Sequence, residues 1–252
     1  FPDSKMSVAE NFLYMMKGPG RYTPLDVKIL DLALILHADH GGGNNSTFSV
    51  RVTSSTETDT YSAIAAGIGS LKGPLHDGAN LMVNTMLDDL KENIKNWKDQ
   101  KEVDAYLIKI LNKEAFDKTG LIYGIGHPVY TVSDPRAGLL KEMARELAKE
   151  KGREKEFAFM ELIEERAVYV FMNYKGEGAK QTCINVDYYS GFVYDAIGLP
   201  KEVFTPLFAM ARIVGWTAHR IEELNFSSKR IIRPAYKNVR ERQDFVPMAE
   251  RG

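Results

Sequence analysis

The chain has little of what marks secreted, membrane or nucleic-acid-binding proteins. Among its 252 residues there is a single cysteine, Cys183, so an internal disulfide is impossible, and this scarcity is typical of a reducing compartment. The formal net charge is −1, which leaves no overall field to attract nucleic acid or an anionic membrane. No apolar run in the sequence is long enough to span a bilayer. We therefore expect a globular, cytoplasmic protein whose partners include neither nucleic acid nor a membrane.

Alternating strand patterns, hairpin dipeptides and internal repeats are also missing from the sequence, and helical patterns fill most of it. Capping residues precede apolar positions at helical spacing, at Ser7, Thr23, Asp59 and Asp134. Further helices are predicted after His76 and at 102–112, 135–150, 155–173, 187–197 and 202–224, before an irregular tail. The sequence predicts an all-α fold.

Side chains that can move protons are concentrated in glycine-containing stretches around His76, His127 and Asp187. Glycine permits turns and close approaches that aim a neighbouring side chain into a cleft. Two histidines and a carboxylate form a suitable set for proton transfer near neutral pH. Each stretch alone also fits an ordinary loop, and Asp187 alone fits a carboxylate favoured by a helix dipole. Together, the stretches predict an active site.

Arginines indicate an anionic ligand for that site. Arg136 lies in the first turn of a predicted helix, where the dipole disfavours a cation. Arg212 interrupts an apolar run and needs a carboxylate from the protein or from a ligand. With Arg233 they form a set suited to a small polycarboxylate, since guanidinium groups pair bidentately with carboxylates. An ordinary salt bridge within the protein also explains each arginine singly.

The remaining histidines offer an alternative based on a metal. His37 and His40 share one face at the end of an apolar helix, a spacing that zinc accepts when a third ligand is near. His37 also fits a satisfied core histidine, His40 a pocket residue beside a glycine turn, and His219 a structural residue. A metal-dependent hydrolase built on the five histidines and Asp187 is therefore one alternative, although the sequence has no compact ligand motif for it.

A series of ordered landmarks resembles the citrate synthase family, in its prokaryotic style, over nearly the whole chain. They are His37-Ala38-Asp39-His40, Gly73-Pro74-Leu75-His76 with Gly78-Ala79-Asn80, Gly124-Ile125-Gly126-His127, Asp134-Pro135-Arg136, Asn185-Val186-Asp187 with Tyr189-Ser190-Gly191, and Phe208-Ala209-Met210-Ala211-Arg212 with Gly215-Trp216. The resemblance implies a two-domain helical fold: a large domain from 1–80 and 200–252, and an inserted small domain at 81–199. It also implies that an N-terminal part of the large domain is missing. With a first residue that is not methionine, we expect a fragment of a longer polypeptide.

The resemblance further implies an acyltransferase that condenses acetyl-CoA with oxaloacetate, giving citrate and CoA at the entry of the tricarboxylic acid cycle. Neither a metal nor a cofactor is implied, because acetyl-CoA is a substrate. Asp187 matches the base that removes a proton from the acetyl methyl group. His76 matches the hydrogen-bond donor to the thioester oxygen, and His127 matches the group that polarises the keto carbonyl.

Substrate-binding positions follow from the same resemblance. Those that grip oxaloacetate and citrate are matched by His40, Arg136, Arg212 and Arg233. The last of these reaches the neighbouring subunit's site in the family, which implies a homodimer. The turn that receives CoA through backbone groups is matched by Gly124, Ile125 and Gly126.

Two residues depart from the family's pattern. Asp77 stands beside His76 where glycine is common, and a negative charge there would raise the pKa of that histidine. Pro128 replaces an arginine often seen after the second histidine, which would weaken a contact to CoA. The nearest functional alternative is 2-methylcitrate synthase, which uses propionyl-CoA and shares these residues. A non-catalytic relative that binds carboxylates is a further alternative, against which His76, His127 and Asp187 argue.

Overall fold

The computed structural model describes residues 1–73, 76, 78–126, 132–176, 181–237, 239, 241–242 and 244–251. These residues form ten α-helices, two 3-10 turns and one isolated antiparallel bridge between Ile125 and Ile184. The helices are α1 Val8–Lys17, α2 Pro24–His37, α3 Asn45–Ser54, α4 Thr60–Leu71, α5 Gly78–Asn93, α6 Gln100–Leu111, α7 Pro135–Glu150, α8 Glu154–Lys175, α9 Asp187–Ile197 and α10 Phe204–Leu224. The predicted all-α class is confirmed. No helix in this described part is long and apolar enough to cross a membrane.

Side-chain caps fix several of the helix ends. The Ser7 hydroxyl accepts from the N–H of Glu10, and Thr23 forms a reciprocal capping box with Asp26. The bounds predicted for α7 and α9, 135–150 and 187–197, are confirmed. Asp134 caps the start of α7, and Gly198 ends α9 in the left-handed region at φ 81°, where glycine carries no steric penalty.

The prediction missed α3, Asn45–Ser54. Its sequence is rich in serine, threonine and valine, which have low helix propensity, and Asn44 makes no side-chain cap bond. Packing stabilises it instead, because Val50 belongs to a buried cluster with Ala63, Leu71 and Trp216. This helix matters to function because its first turn reaches the candidate site.

The main hydrophobic core joins α1 and α2 to α5 through α10 in a single buried cluster. The smaller cluster around Trp216 attaches α3 and α4 to α10. The predicted boundary at residue 80 falls inside α5, and buried residues on both sides of it share the main cluster. The division into 1–80, 81–199 and 200–252 stays a prediction.

Two glycines allow helices to approach at the points where they carry site residues. The N–H of Gly215 in α10 donates to the carbonyl of Ala38 over 3.1 Å, and a Cβ on this glycine would lie 2.2 Å from that oxygen. A Cβ on Gly191 in α9 would lie 2.2 Å from Oδ1 of Asn84 in α5. A larger residue at Gly215 would push the two segments apart, because the near atom belongs to the backbone, whereas one at Gly191 would displace the Asn84 side chain.

Candidate active site

The candidate site lies where the end of α2, the starts of α3, α7 and α9, and the middle of α10 meet. Arg212 of α10 joins several of these elements. Its Nε donates to the backbone carbonyl of His37 over 2.7 Å, and its Nη1 donates to Oδ1 of Asn44 over 3.2 Å. Its guanidinium also lies 4.7 Å from the ring centre of Phe208. The side chain is buried, so a fixed positive charge is held inside the protein.

Asp187 begins α9 with an unusual electrostatic environment. Burial raises the pKa of its carboxyl from 3.8 to about 6, although Arg136 and Arg212 act in the opposite direction. The residue as a whole nevertheless keeps intermediate solvent exposure. No hydrogen bond to its carboxylate is found among the described residues. A carboxylate with a pKa near 6 is a stronger base than an ordinary aspartate at neutral pH.

His76 is held as a neutral imidazole. Its Nε2 accepts from the backbone N–H of Ser46 over 3.2 Å, with the Ser46 hydroxyl 3.0 Å away. Because a backbone N–H can only donate, Nε2 is unprotonated and the neutral ring carries its proton on Nδ1. Burial lowers the pKa of His76 and Arg212 acts in the same direction, whereas a hydrogen bond to the residue's own backbone acts in the opposite direction. The position at the positive end of α3 disfavours the imidazolium further.

The structure corrects the interpretation of His37 as a satisfied core histidine. The residue is buried, as expected, but neither ring nitrogen has a hydrogen-bond partner in the part of the chain that the structure describes. Its ring packs against Phe208 at 4.5 Å between centroids, and that ring offers no hydrogen bond. Burial lowers the pKa of His37 to about 3, with Arg212 and Arg136 acting in the same direction. His37 is thus a neutral imidazole that is influenced by the same two charges as Asp187, those of Arg136 and Arg212.

Arg136 has a protein partner, Asp134, which the sequence pattern indicated only as a helix cap. Asp134 accepts from Nε of Arg136 over 3.0 Å and from Nη2 over 2.8 Å. It also caps the backbone N–H of Arg136 over 3.0 Å, and its carboxylate is buried. This bidentate pair explains how a cation is accommodated in the first turn of α7. The sequence signal for this ion pair was the two-residue spacing between Asp134 and Arg136.

The segment 124–126 is bonded to the segment before α9. The N–H of Gly126 donates to the carbonyl of Cys183 over 2.7 Å, and the carbonyl of Gly124 accepts from the N–H of Asn185 over 2.9 Å. Gly124 and Gly126 have φ values of 80° and 93°, which few other residues adopt. Several backbone groups of the predicted CoA turn therefore form hydrogen bonds within the protein.

Other predicted site residues lie away from the candidate site or outside the described residues. His127 is not among the described residues, and neither are Asp77 and Pro128. Arg233 is exposed. The residue before it, Ile232, donates its N–H to the hydroxyl of Ser55 at the far end of α3. That end lies about 15 Å along the ten-residue helix from its first turn, which is the part that reaches the candidate site.

The other histidines are placed beside the end of α2. His40 is partly buried shortly after this helix ends. His219 in α10 lies 3.1 Å from Oδ1 of Asp39. Within the described residues, no group of three or more His, Cys, Asp or Glu side chains is placed to hold a metal ion.

Comparison with known proteins identifies the family. Residues 1–235 match the model for the C-terminal domain of citrate synthase. The chain belongs to the citrate synthase family. The resemblance drawn from the landmark motifs is confirmed, and the helical fold agrees with that of the family.

Individual relatives agree with this assignment. The citrate synthase of Deinococcus radiodurans is 42% identical over 99% of this chain and 61% of its own length. The 2-methylcitrate synthase 1 of Corynebacterium glutamicum is 38% identical, over 99% of this chain and 61% of its own length. Among solved structures, the citrate synthase of Thermoplasma acidophilum, in a ternary complex with carboxymethyl coenzyme A and oxaloacetate, aligns with a TM-score of 0.75 at 34% identity. That alignment covers 99% of this chain and 61% of the archaeal one. The chain thus spans about three fifths of the length of the curated relatives it matches.

Proposed function

We propose that the protein is a citrate synthase that condenses acetyl-CoA with oxaloacetate and water to give citrate and free CoA. One observation carries this proposal: a carboxylate with a raised pKa, Asp187, shares the charged neighbour Arg212 with a neutral histidine, His76. A base and a neutral hydrogen-bond donor beside a fixed cation are what the removal of a proton next to a thioester requires. The structure of the Thermoplasma relative with a CoA analogue and oxaloacetate supports the two substrate classes.

The proposed first step is enolisation of the thioester. The Asp187 carboxylate takes a proton from the acetyl methyl group, and the electron pair moves onto the thioester oxygen. Nδ1–H of His76 donates a hydrogen bond to that oxygen. A neutral donor suits this task, because the developing enolate is stabilised without a full proton having to be moved beforehand. The carboxylic acid left on Asp187 is tolerated, since its pKa is about 6.

The second step joins the two substrates. The methyl carbon attacks the keto carbon of oxaloacetate, and the new alkoxide takes up a proton. We assign polarisation of the keto group to His127. Binding of the carboxylates is assigned to His40, Arg136, Arg212 and Arg233, with Gly124, Ile125 and Gly126 beside CoA. Water then cleaves the thioester of the adduct and releases citrate and CoA. No metal or cofactor takes part in this scheme.

A homodimer with a hinge completes the proposal. The outward face of α4 carries Tyr61 and Ile68, which are 89% and 41% exposed. Phe48 of α3, the helix that packs against α4, is 40% exposed. A second copy of the chain covering this face would bury these side chains. Exposed Arg233 would then be available to the neighbouring subunit's site.

Closure of the inserted domain at 81–199 would exclude water before enolisation. We place the protein in the cytoplasm, in line with its single cysteine.

The decisive experiment measures release of the CoA thiol by the full-length protein. Acetyl-CoA or propionyl-CoA is offered with and without oxaloacetate, before and after treatment with a chelator. We expect thiol release that needs oxaloacetate, favours acetyl-CoA and survives the chelator. Preference for propionyl-CoA would assign the protein to 2-methylcitrate synthesis. Release without oxaloacetate, or its loss with the chelator, would replace the condensation with thioester hydrolysis or a metal-dependent reaction.

A further inference from the structure

Asn185 connects the two segments that lead to predicted catalytic residues. The segment that ends at Gly126 runs antiparallel to the segment that begins at Cys183, and Ile125 and Ile184 form a bridge between them. Backbone hydrogen bonds of 2.7 Å and 2.9 Å close this pairing at both ends. The first segment continues directly into His127, and the second continues into α9 and Asp187.

The side chain of Asn185 adds a bond to each segment. Its Nδ2 donates to the carbonyl of Gly126 over 3.1 Å, and its Oδ1 accepts from the backbone N–H of Asp187 over 3.1 Å. A primary amide is suited to this position because it donates from one end and accepts at the other. A carboxylate has only acceptors here, and alanine has neither group.

Both bonds fall on backbone groups next to proposed reacting residues. The carbonyl of Gly126 belongs to the peptide bond that leads into His127. The N–H of Asp187 is one of the first N–H groups of α9, whose N-cap residue, Val186, makes no side-chain cap bond. Asn185 therefore bonds the first N–H of the helix that carries the base and, with the same amide, ties the start of that helix to the carbonyl of Gly126.

We propose that Asn185 is a positioning residue that fixes Asp187, at the start of α9, against the backbone of Gly126. It acts through the N–H of Asp187 and the carbonyl of Gly126 and contacts no reacting atom in this scheme. The inference rests on the proposed function, because the position of Asp187 affects turnover only when its carboxylate is the base. Small misplacements of reacting groups are costly even when every group is present.

Asn185→Asp is the informative variant, with Asn185→Ala as the more disruptive companion. The aspartate retains an acceptor for the N–H of Asp187, and a carboxylate at a helix start is favoured by the dipole. It loses the donor to Gly126 and faces that carbonyl with a second oxygen. We expect kcat to fall about ten- to a hundredfold, with the KM for oxaloacetate changed by less than about threefold. Asn173→Asp is the matched control, because that exposed amide also donates to a carbonyl, that of Tyr169.

A second readout separates positioning from simple loss of structure. Amide hydrogen exchange should show protection of the Asp187 N–H retained in Asn185→Asp and lost in Asn185→Ala. A parent-like kcat in Asn185→Asp, with the parent active, would overturn the role of Asn185 alone. That role is also overturned if kcat per folded molecule is unchanged and only the unfolding midpoint falls. A parent that releases no CoA would instead overturn the proposed function, and the role of Asn185 with it.

Discussion

Asp187 and His37 have pKa values displaced in opposite directions, although Arg136 and Arg212 act on both groups. Burial raises the pKa of the Asp187 carboxyl to about 6 and lowers the pKa of the His37 imidazole to about 3. In each case desolvation disfavours the charged form. Both groups are therefore held towards neutrality, and the arginines supply the fixed charge of the site.

These displacements predict opposite effects on stability between about pH 4 and 6. His37 binds a proton more readily in the unfolded chain, so its contribution is present above pH 6.5 and is lost as the pH falls towards 3. Asp187 binds a proton more readily in the folded protein, so its contribution is present below pH 3.8 and is lost as the pH rises to 6. Each slope is about 1.4 kcal/mol per pH unit, and the two cancel.

Removing one of these two titratable groups makes the pH dependence of the other measurable. We expect Asp187→Asn to raise the free energy of unfolding at pH 7 by about 1 to 3 kcal/mol, because a partly desolvated charge is lost. Between pH 6 and 4 this variant should lose about 1.4 kcal/mol per pH unit relative to the parent. Urea unfolding at several pH values measures both effects. Asp31→Asn, which removes an exposed carboxylate from α2, is the control, and an unchanged slope in Asp187→Asn would contradict the account.

The pKa of Asp187 also predicts the pH dependence of turnover. The carboxylate must be ionised to accept the methyl proton, so kcat/KM should fall about tenfold per pH unit below roughly pH 6. Asp187→Asn should abolish exchange of the acetyl methyl protons with deuterium while oxaloacetate binding persists. If exchange continues in that variant, Asp187 is only a carboxylate favoured by the start of α9.

Arg212 should contribute to substrate binding and to the fold. Arg212→Leu is expected to weaken oxaloacetate binding by roughly 1.5–3 kcal/mol, because one carboxylate loses its charged partner. It should also lower stability, since the carbonyl of His37 loses its 2.7 Å donor. Calorimetric titration with oxaloacetate measures the first effect and urea unfolding the second. Arg145→Leu removes a more exposed arginine paired with Glu161 and should bind oxaloacetate normally. Equal binding by both variants would exclude Arg212 from the substrate site.

The sequence predicted most of the helix ends because their causes are local. Thr23, Asp59 and Asp134 cap helices through their own side chains within three residues, and Gly198 ends α9 through its own backbone freedom. These signals need no knowledge of the rest of the fold. The start of α7 and the end of α9 were correct for this reason.

What the sequence did not predict depends on tertiary packing. α3 forms because Val50 packs against Trp216, a residue far along the chain. The neutral state of His76 depends in turn on the Ser46 N–H at the start of that helix. The environment of the His37 ring follows from packing against Phe208 of α10. The residues of the candidate site could be proposed from the sequence, whereas the protonation states of His37 and His76 required the structure.

Gly215 supplies the last prediction, since it sets how closely α10 approaches the end of α2. A Cβ at this position would lie 2.2 Å from the backbone carbonyl of Ala38, which cannot move without displacing His37 and the residues that follow it. Gly215→Ala should therefore lower the free energy of unfolding by about 1–3 kcal/mol and raise the KM for oxaloacetate.

Gly138→Ala is the matched control, because Gly138 is also helical but a Cβ added to it would have no described atom within 4 Å. Alanine is a better helix former than glycine, so this change should stabilise the protein by roughly 0.5–1 kcal/mol. Urea unfolding of both variants gives the comparison, with opposite signs expected. If Gly215→Ala is as stable as the parent and binds oxaloacetate equally well, the close contact with Ala38 does not position the site.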